Sequence, residues 1–294
     1  MKKKHYFGRG AMFVLCAIFA IAFLLPTVLT ITNSFMSEAE IKSNYGMIFA
    51  TPSGGYVSKT VNLKFIPDKV TLSQYINGLI KSPEYLLKFW NSVLLVVPIV
   101  IFQVAIASVA AYSFTRWRGK IRSGIFFFYV ILMLMPYQVT LVPNYLVSKW
   151  LGILNTSWAI ILPGVFAPFS VFLLTKFMRR IPYSLIEAAK VDGATAWQTF
   201  WKVKIPNLMP TITICLFLSI TNGFKLFDQN LALTGGAPAH STEMLALNIY
   251  NTFYSRAGIA WQGIGQAKAV IFCILVVAIS MIQLKATRSK EVQQ

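Results

Sequence analysis

Six apolar runs without a single Asp, Glu, Lys or Arg limit what this chain can fold into more than any other feature of its sequence. The runs comprise residues 11–31, 93–114, 123–142, 158–175, 207–224 and 269–284. A helix of about 20 apolar residues crosses the hydrocarbon core of a bilayer, and most of the runs approach that length. Apolar residues make up 56% of the chain and charged residues 12%, compared with roughly 25% charged residues in a soluble domain. We therefore predict an all-α membrane protein in which six transmembrane helices form a single domain over residues 1–294.

The sequence predicts the surroundings of three cysteines and one lysine in these spans. The cysteines Cys16, Cys215 and Cys273 each lie inside a run, where we expect small buried apolar residues and neither disulfides nor metal ligands. The sixth run is short, and a full span that ends near Lys285 includes Lys268 close to its far end. The ammonium of Lys268 is expected to reach toward water.

The distribution of positive charge predicts which loops are cytoplasmic, because Lys and Arg close to the ends of spans are retained on the inner side. With both termini inside, the inner segments hold 17 of the 27 lysines and arginines. This orientation places residues 32–88 and 228–263 outside the membrane and residues 179–206 inside it. The basic residues flank apolar spans and form no separate basic domain, so the expected partner is anionic lipid and no nucleic acid.

The inner loop, residues 179–206, is predicted to contain two short helices joined by a turn. Pro182 suits the first turn of a helix, and Asp192-Gly193 supplies a turn in which a positive φ costs little. A second helix over 194–204 is expected to end at Pro206, ahead of the next span.

The first of these helices has features that suit a protein partner. Ala188 and Ala189 allow another surface to approach closely, and Glu187 offers a charge to an Arg or Lys on that surface. A helix that merely anchors the bundle at the membrane surface is the alternative, since charged amphipathic helices are common there.

Polar residues in or beside the third and fifth spans are candidates for a solute path, because an unpartnered polar group is costly in a membrane. They are Gln138, Asn144, Asn222, Lys225, Asp228 and Gln229. Each of them has an alternative role in bonding to a neighbouring helix.

The outer loop that follows is also a candidate for contact with a partner or solute. Thr234, Gly235, Gly236 and Pro238 favour an irregular backbone that exposes main-chain groups. A solvated connector is an equally good interpretation of these residues.

Several functions are disfavoured by what the sequence lacks. The two histidines, His5 and His240, fall on opposite sides of the membrane in this topology, so no metal site or histidine-based catalysis is expected. The sequence has no phosphate-binding loop of the Gly-x-x-x-x-Gly-Lys-Ser/Thr type, and we expect it neither to bind nor to hydrolyse ATP. No acid lies in the middle of a span, which weakens a secondary transporter. A membrane scaffold protein needs no chemistry and stays open.

Glu187-Ala188-Ala189, Gly193 and Ile205-Pro206 at this spacing resemble the cytoplasmic coupling loop of permease subunits in ATP-binding-cassette (ABC) importers. The stretches Phe65-Ile66-Pro67, Asn91-Ser92 and 233–238 resemble the sugar-transporting, maltose-type branch of these permeases. The similarity covers essentially the whole chain. Loop 233–238 is more usual in one permease of the pair and the short N-terminal part in the other, so the position of this chain within a pair stays open.

The resemblance implies a type I ABC importer fold and a role as half of the path for a sugar or oligosaccharide. A second homologous permease would complete a heterodimer, two ATP-binding subunits would carry ATP and Mg, and an extracytoplasmic solute-binding protein would deliver the solute. This chain would hold no cofactor and no catalytic residue, and it would lie in a bacterial cell membrane. A non-sugar solute is the alternative within the family. The resemblance assigns ATPase coupling to Glu187, Ala188, Ala189, Asp192, Gly193, Ile205 and Pro206, and contact with the binding protein to Thr234, Gly235, Gly236 and Pro238.

Overall fold

A computed structural model describes residues 2–46, 60–116, 119–254 and 261–289, and all regular structure in these ranges is helical. The helices are α1 (Lys2–Ser34), α2 (Glu38–Tyr45), α3 (Ser73–Tyr75), α4 (Glu84–Arg116), α5 (Lys120–Leu134), α6 (Tyr137–Trp150), α7 (Ser157–Val165), α8 (Pro168–Met178), α9 (Tyr183–Val191), α10 (Ala196–Thr199), α11 (Ile205–Phe224), α12 (Asp228–Leu233), α13 (Leu245–Tyr254) and α14 (Gln262–Arg288). Two π-helical turns, Ile76–Ile80 and Phe200–Lys204, lie between α3 and α4 and between α10 and α11. The predicted all-α fold is confirmed.

The described helices supply five spans long and apolar enough to cross a membrane, and a sixth if one bent pair counts as a single span. The five are Met12–Ser34, Glu84–Arg116, Ser157–Met178, Ala196–Phe224 and Gln262–Arg288. Each contains one of the apolar runs of the sequence. The number of spans therefore agrees with the prediction, while the orientation of the termini stays a prediction.

The third apolar run, predicted as one helix, is broken. Helix α5 ends at Leu134, α6 begins at Tyr137, and their axes differ by 106°. Pro136 has no backbone N–H and disfavours a helical conformation at the residue before it, and Met135 is accordingly extended, with φ −70° and ψ 130°. A proline in the middle of an apolar run has therefore redirected the chain.

The expected end of the second inner-loop helix at Pro206 is wrong. Helix α10, the π-helical turn Phe200–Lys204 and α11 continue as one helical segment from Ala196 to Phe224. A proline ring normally clashes with the carbonyl group four residues earlier. Here Pro206 follows a turn of wider π-helical geometry and occupies the first turn of α11, where its missing N–H costs least.

The chain divides into two compact units, residues 1–86 with 248–273 and residues 87–247 with 274–294. In the first unit, Met36, Ile41 and Tyr45 form a small buried cluster on and beside α2. The hydroxyl groups of Ser34 and Tyr75 lie 2.7 Å apart and join the end of α1 to α3. The single-domain organisation predicted from the sequence stays a prediction.

Lys268 in the first unit does not reach toward water as expected, since only 7% of the residue is exposed. Its Nζ donates hydrogen bonds to Asn248 Oδ1 and Thr252 Oγ1, each at 2.9 Å. The same Nζ lies 5.2 Å from the centre of the Tyr85 ring. Two polar side chains of α13 and the face of an aromatic ring thus stabilise the buried ammonium. The sequence of the sixth run alone does not indicate these partners.

In the second unit, a buried apolar cluster holds α4, α8 and α11 together. It consists of Ala107, Ala111, Phe114, Val171, Leu174, Met178, Leu208 and Cys215. Cys215 is buried as predicted, but Cys16 and Cys273 are exposed in this isolated chain. The prediction fails for those two because an apolar residue of a transmembrane helix satisfies its environment equally well by facing lipid.

Candidate functional site

The inner loop forms the turn that its sequence predicts. Helix α9 ends at Val191, and the N–H groups of Asp192, Gly193 and Ala194 donate to the carbonyl groups of Ala188, Lys190 and Ala189 at 2.9–3.0 Å. Gly193 has φ +76°, a conformation that a residue with a Cβ adopts only with strain. The glycine is therefore a local requirement of the turn.

The helix that follows begins with a capping box. Thr195 Oγ1 accepts from the backbone N–H of Gln198, and Gln198 Oε1 accepts from the backbone N–H of Thr195. This reciprocal pair satisfies two N–H groups that a helix start leaves without partners. The end of α9 and the start of α10 are thus each fixed by residues of the loop, and the turn between them has a defined shape.

A set of apolar side chains on this loop is exposed. Val191 is 87% exposed, Trp197 70% and Tyr183 61%. The rings of Trp197 and Trp201 pack edge to face at 5.6 Å, so part of the set is preorganised. An exposed aromatic and aliphatic surface of this kind is typical of a binding surface.

The residues that the resemblance assigns to coupling fall into two groups in the structure. Glu187, Ala188, Asp192 and Gly193 are exposed on and after α9. Ala189, Ile205 and Pro206 are half-buried, the last two at the start of α11. The first group is accessible to a partner, whereas the second connects the loop to a transmembrane helix.

A cavity of ≈ 680 Å³ lies in the second unit, among α4, α5, α6, the segment between α7 and α8, and α11. Its polar lining residues are Gln103, Tyr137, Thr140, Asn144, Ser170, Ser219 and Asn222. None of the residues that line it is charged. Neutral donors and acceptors in a largely apolar cavity of this size suit an uncharged polar solute.

Only some of the polar residues predicted to line a solute path lie at the cavity in the structure. Asn222 and Asn144 line the cavity, whereas Gln138 and Lys225 are exposed outside it and Asp228 is half-buried. Gln229 is buried, with its Nε2 donating to the carbonyl of Ile160 at 2.7 Å and its Oε1 accepting from the Tyr137 hydroxyl. Both polar atoms of Gln229 therefore bind protein groups.

The sequence pointed to only two of the seven polar residues that line the cavity, Asn144 and Asn222. Gln103 is the lone amide in the second apolar run, and this isolation in an otherwise apolar helix was an available signal. The hydroxyl residues have no such signal, because hydroxyl groups are frequent in spans and those of Ser and Thr commonly bond to their own helix; they are Tyr137, Thr140, Ser170 and Ser219.

The outer loop 233–238 is held in a defined conformation by one buried side chain. Asn230 Nδ2 donates to Thr234 Oγ1 at 3.0 Å and to the carbonyl of Thr242 at 2.9 Å, and Asn230 Oδ1 accepts from the N–H of Met244 at 3.0 Å. Gly235 is exposed with φ +55°, and Gly236 is buried with φ +92°. The loop is irregular, as predicted, but its backbone is fixed from within.

The residues that directly follow this loop join it to α4 through a buried ion pair. Lys88 Nζ lies 3.3 Å from Glu243 Oε2, and the two residues are 9% and 3% exposed. The exposed His240 contributes its Nδ1 at 3.0 Å from the same carboxylate oxygen, and Asn91 Nδ2 donates to the His240 carbonyl at 3.1 Å. Charge and hydrogen bonding thus tie the loop to the start of a transmembrane helix.

The helical fold, with several helices long and apolar enough to cross a membrane and an exposed loop that continues into one of them, defines a multi-pass membrane protein. Residues 103–287 match the family described as binding-protein-dependent transport system inner membrane component, and the chain belongs to this family. It is therefore a transport subunit, and the ATPase of such systems is a separate subunit.

Curated relatives include permeases named for sugar transport. The chain is 42% identical over 144 residues to the probable starch degradation products transport system permease of Thermoanaerobacterium thermosulfurigenes, covering 49% of this chain and 46% of that one. It is 27% identical over 206 residues to the arabinooligosaccharides transport system permease of Halalkalibacterium halodurans, covering 69% and 74%. It is also 27% identical over 271 residues to the trehalose/maltose transport system permease of Thermococcus litoralis, covering 79% and 85%. The match thus spans about half the length of the first relative and most of the other two.

Solved structures share the fold at lower identity. A chain of a bacterial ABC transporter that imports the acidic polysaccharide alginate superposes with a TM-score of 0.75 at 19% identity, covering 97% of this chain and 98% of that chain. A chain of the MetNI methionine ABC transporter gives a TM-score of 0.50 at 22% identity, covering 69% and 94%. At these identities the likeness concerns the fold alone.

Proposed function

We propose that this chain is one of two permease subunits of an importer that takes up a neutral sugar or oligosaccharide through the cell membrane of a bacterium. The observation that carries the proposal is a continuous helical segment between the inner loop and the cavity. Residues 196–224 form a 29-residue helical segment, about 43 Å long at 1.5 Å per residue. It begins beside Gly193, and Asn222 near its other end lines the cavity. Movement of the loop is therefore transmitted to a wall of the cavity.

The mechanism follows from this connection. A separate ATP-binding subunit, which holds ATP and Mg, docks on the exposed surface that includes Glu187, Ala188 and Gly193. Closure of the two ATP-binding subunits moves the docked loop, and the helix carries the displacement to the cavity. Hydrolysis then shifts the population between states open to the outside and to the inside. This chain contributes binding surface and mechanical coupling, and it carries out no covalent step.

The neutral cavity and the names of the relatives support a sugar as solute. Sugar hydroxyl groups both donate and accept hydrogen bonds, and the amides of Gln103, Asn144 and Asn222 do the same in fixed directions. The second permease of a heterodimer would complete the cavity from its other side. Thr234, Gly235, Gly236 and Pro238 are proposed to contact the solute-binding protein, with Gly235 and Pro238 exposed on the loop.

Uptake by the reconstituted importer tests the proposal. The complete complex in proteoliposomes should take up radiolabelled maltotriose or arabinotriose in the presence of ATP and its binding protein. Asn222→Ala should reduce this uptake at least about tenfold, because an amide that lines the cavity and binds the solute is lost. Asn207→Ala is a matched control on the same helix, since Asn207 bonds to its own backbone and does not line the cavity. Uptake of another class of solute without any saccharide uptake would refute the sugar assignment.

The orientation has its own test. In a background in which all three native cysteines are replaced by serine, Ser241→Cys should react with an impermeant thiol reagent added outside intact cells. Ser184→Cys on α9 should react only after the membrane is opened. Both positions are exposed in the isolated chain. The reverse pattern of labelling would contradict the charge-based topology and the coupling mechanism together.

A further inference from the structure

A second cavity, of ≈ 360 Å³, lies within the first unit, and none of its lining residues belongs to the cavity described above. It is bounded by the start of α2, by α3 with the π-helical turn that follows, and by the start of α14. The side chains that matter for its chemistry are Glu38, Gln74, Asn77, Lys81, Ser82 and Trp261. In the proposed topology all of them lie on the outer side of the membrane.

The walls of this cavity are held together by close backbone approach. Glu38 Oε2 accepts from the N–H of Gly263 at 3.0 Å, and Gln74 Nε2 donates to the carbonyl of Met36 at 3.2 Å. A Cβ at position 263 would lie 2.6 Å from Gln74 Cδ and 2.7 Å from Glu38 Oε2. Only glycine allows α14 to start this close to α2 and α3, so the cavity is built into the packing of the unit.

Several polar groups of the lining are left without protein partners. Asn77 and Ser82 are half-buried and Lys81 is exposed, and within the described residues their side chains make no hydrogen bond or ion pair. Glu38 Oε1 is buried and makes no hydrogen bond, and the Lys42 ammonium lies 3.8 Å from it. No protein group occupies the hydrogen-bonding capacity of Asn77, Lys81 and Ser82, so these three side chains are available to a polar ligand that replaces water in the cavity.

The lining suits a ligand that is polar on its edges and apolar on one face. The side chain of Asn77 can donate and accept, Ser82 can do both through one hydroxyl, Lys81 only donates and Glu38 only accepts. One carboxylate and one ammonium give the set no net charge. Trp261, 42% exposed, adds an aromatic surface whose negative face attracts C–H groups.

We propose that this cavity is a second saccharide site, which holds one or two pyranose or furanose rings of a neutral sugar against Trp261 on the outer side of the permease. The inference rests on the proposed function as a sugar importer and adds a binding site separate from the cavity lined by Asn222. Hydroxyl groups of the sugar bind Glu38, Asn77 and Lys81, and the C–H face of a ring packs on the indole. The volume lies at the lower end of the range for small-molecule sites, so the site holds a short segment of a chain.

Saturation-transfer-difference NMR with maltotriose tests the site. The complete importer in nanodiscs, without its binding protein, should transfer saturation to the sugar. Asn222→Ala removes a contact in the first cavity, and the maltotriose binding that remains in this variant is assigned to the second. Adding Asn77→Ala and Lys81→Ala should weaken that remaining binding at least about tenfold, because hydrogen bonds to the sugar are lost, one of them charge-assisted. Trp261→Ala should act similarly, whereas Trp261→Phe keeps an aromatic face and should retain most of the signal.

Matched controls and alternative ligands make the outcome decisive. Asn62→Ala with Lys69→Ala removes the same residue types from exposed positions outside the cavity and should leave the signal unchanged. A signal that Asn222→Ala alone abolishes would overturn the second site, because all sugar would then bind in the first cavity. Binding of glycerophosphoethanolamine in this cavity, without binding of maltotriose, would also overturn the saccharide site and would indicate a site for a lipid headgroup. If the wild-type importer takes up sugar but shows no binding at the second cavity, this inference alone is refuted. If it takes up no sugar, the proposed function is refuted.

Discussion

Gly193→Val should abolish ATP-driven uptake while the permease still inserts and assembles with its partner permease. Gly193 has φ +76°, and a β-branched residue at that angle carries strain of about 1–3 kcal/mol. The turn relieves this strain by changing shape, because no atom lies within 4 Å of a Cβ at this position to hold it. The surface that docks the ATPase is thereby altered, and the amount of ATPase that copurifies with the permease should fall at least about tenfold.

Two comparisons separate a docking defect from a folding defect. Gly152 has φ +69° and the same open surroundings, but it lies between α6 and α7, outside the inner loop. Gly152→Val should therefore carry similar strain and still copurify with the ATPase. Glu187→Lys keeps the backbone and reverses a charge at the proposed interface, so it should lose ATPase while Glu187→Gln keeps part of it. Wild-type copurification and uptake by Gly193→Val and Glu187→Lys would show that the loop only anchors the bundle.

Glu243→Gln should destabilise the second unit by about 3 kcal/mol, because it leaves the Lys88 ammonium buried without its counter-charge. Glu243 is 3% exposed, and its Oε2 lies 3.3 Å from Lys88 Nζ. This loss of stability should lower the Tm of the purified permease by several degrees. Since the pair ties the loop 233–238 to α4, stimulation of ATP hydrolysis by the liganded binding protein should fall with it.

A double-mutant cycle measures the coupling of this pair. Lys88→Met should also destabilise the permease, and the combination of Lys88→Met with Glu243→Gln should recover part of the loss, because no unpaired charge remains. His240→Ala should cost less than about 1 kcal/mol, since the His240 side chain is 58% exposed. Strictly additive effects of the two buried substitutions would mean that the pair contributes no specific stabilisation.

Features governed by residues next to one another in the chain were predictable from the sequence. The apolar runs became spans, since length and the absence of charge are sufficient to favour a helix in a bilayer. The turn at Gly193 followed from the low cost of positive φ at glycine, and α9 starts one residue after Pro182, which occupies the N-cap position and does not lie in the first turn of the helix. In the inner loop, the turn between the two helices was therefore predictable, whereas the end of the second helix was not.

Features governed by contacts between distant segments were not predictable from the sequence. Lys268 is buried because Asn248, Thr252 and Tyr85 arrive from two other helices, and no local pattern marks them as its partners. The amide of Gln229 resembles a solute ligand in the sequence, yet it joins Tyr137 to Ile160 in the structure. Polar residues in spans look alike until their neighbours are known, which is why the predicted path and the lining of the cavity agree only in part.

The sequence by itself determined that this chain spans a membrane, which segments are apolar enough to cross it and where its inner loop turns, because hydrophobic transfer and backbone sterics act on each segment separately. Only the tertiary structure decided that Pro136 turns the third apolar run through 106° and that a π-helical turn carries the chain past Pro206. The two cavities also depend on it, since each is lined by segments that are far apart in sequence. Whether a polar side chain in those segments faces a cavity or binds a neighbouring helix depends on packing, because either arrangement satisfies its hydrogen bonds equally well.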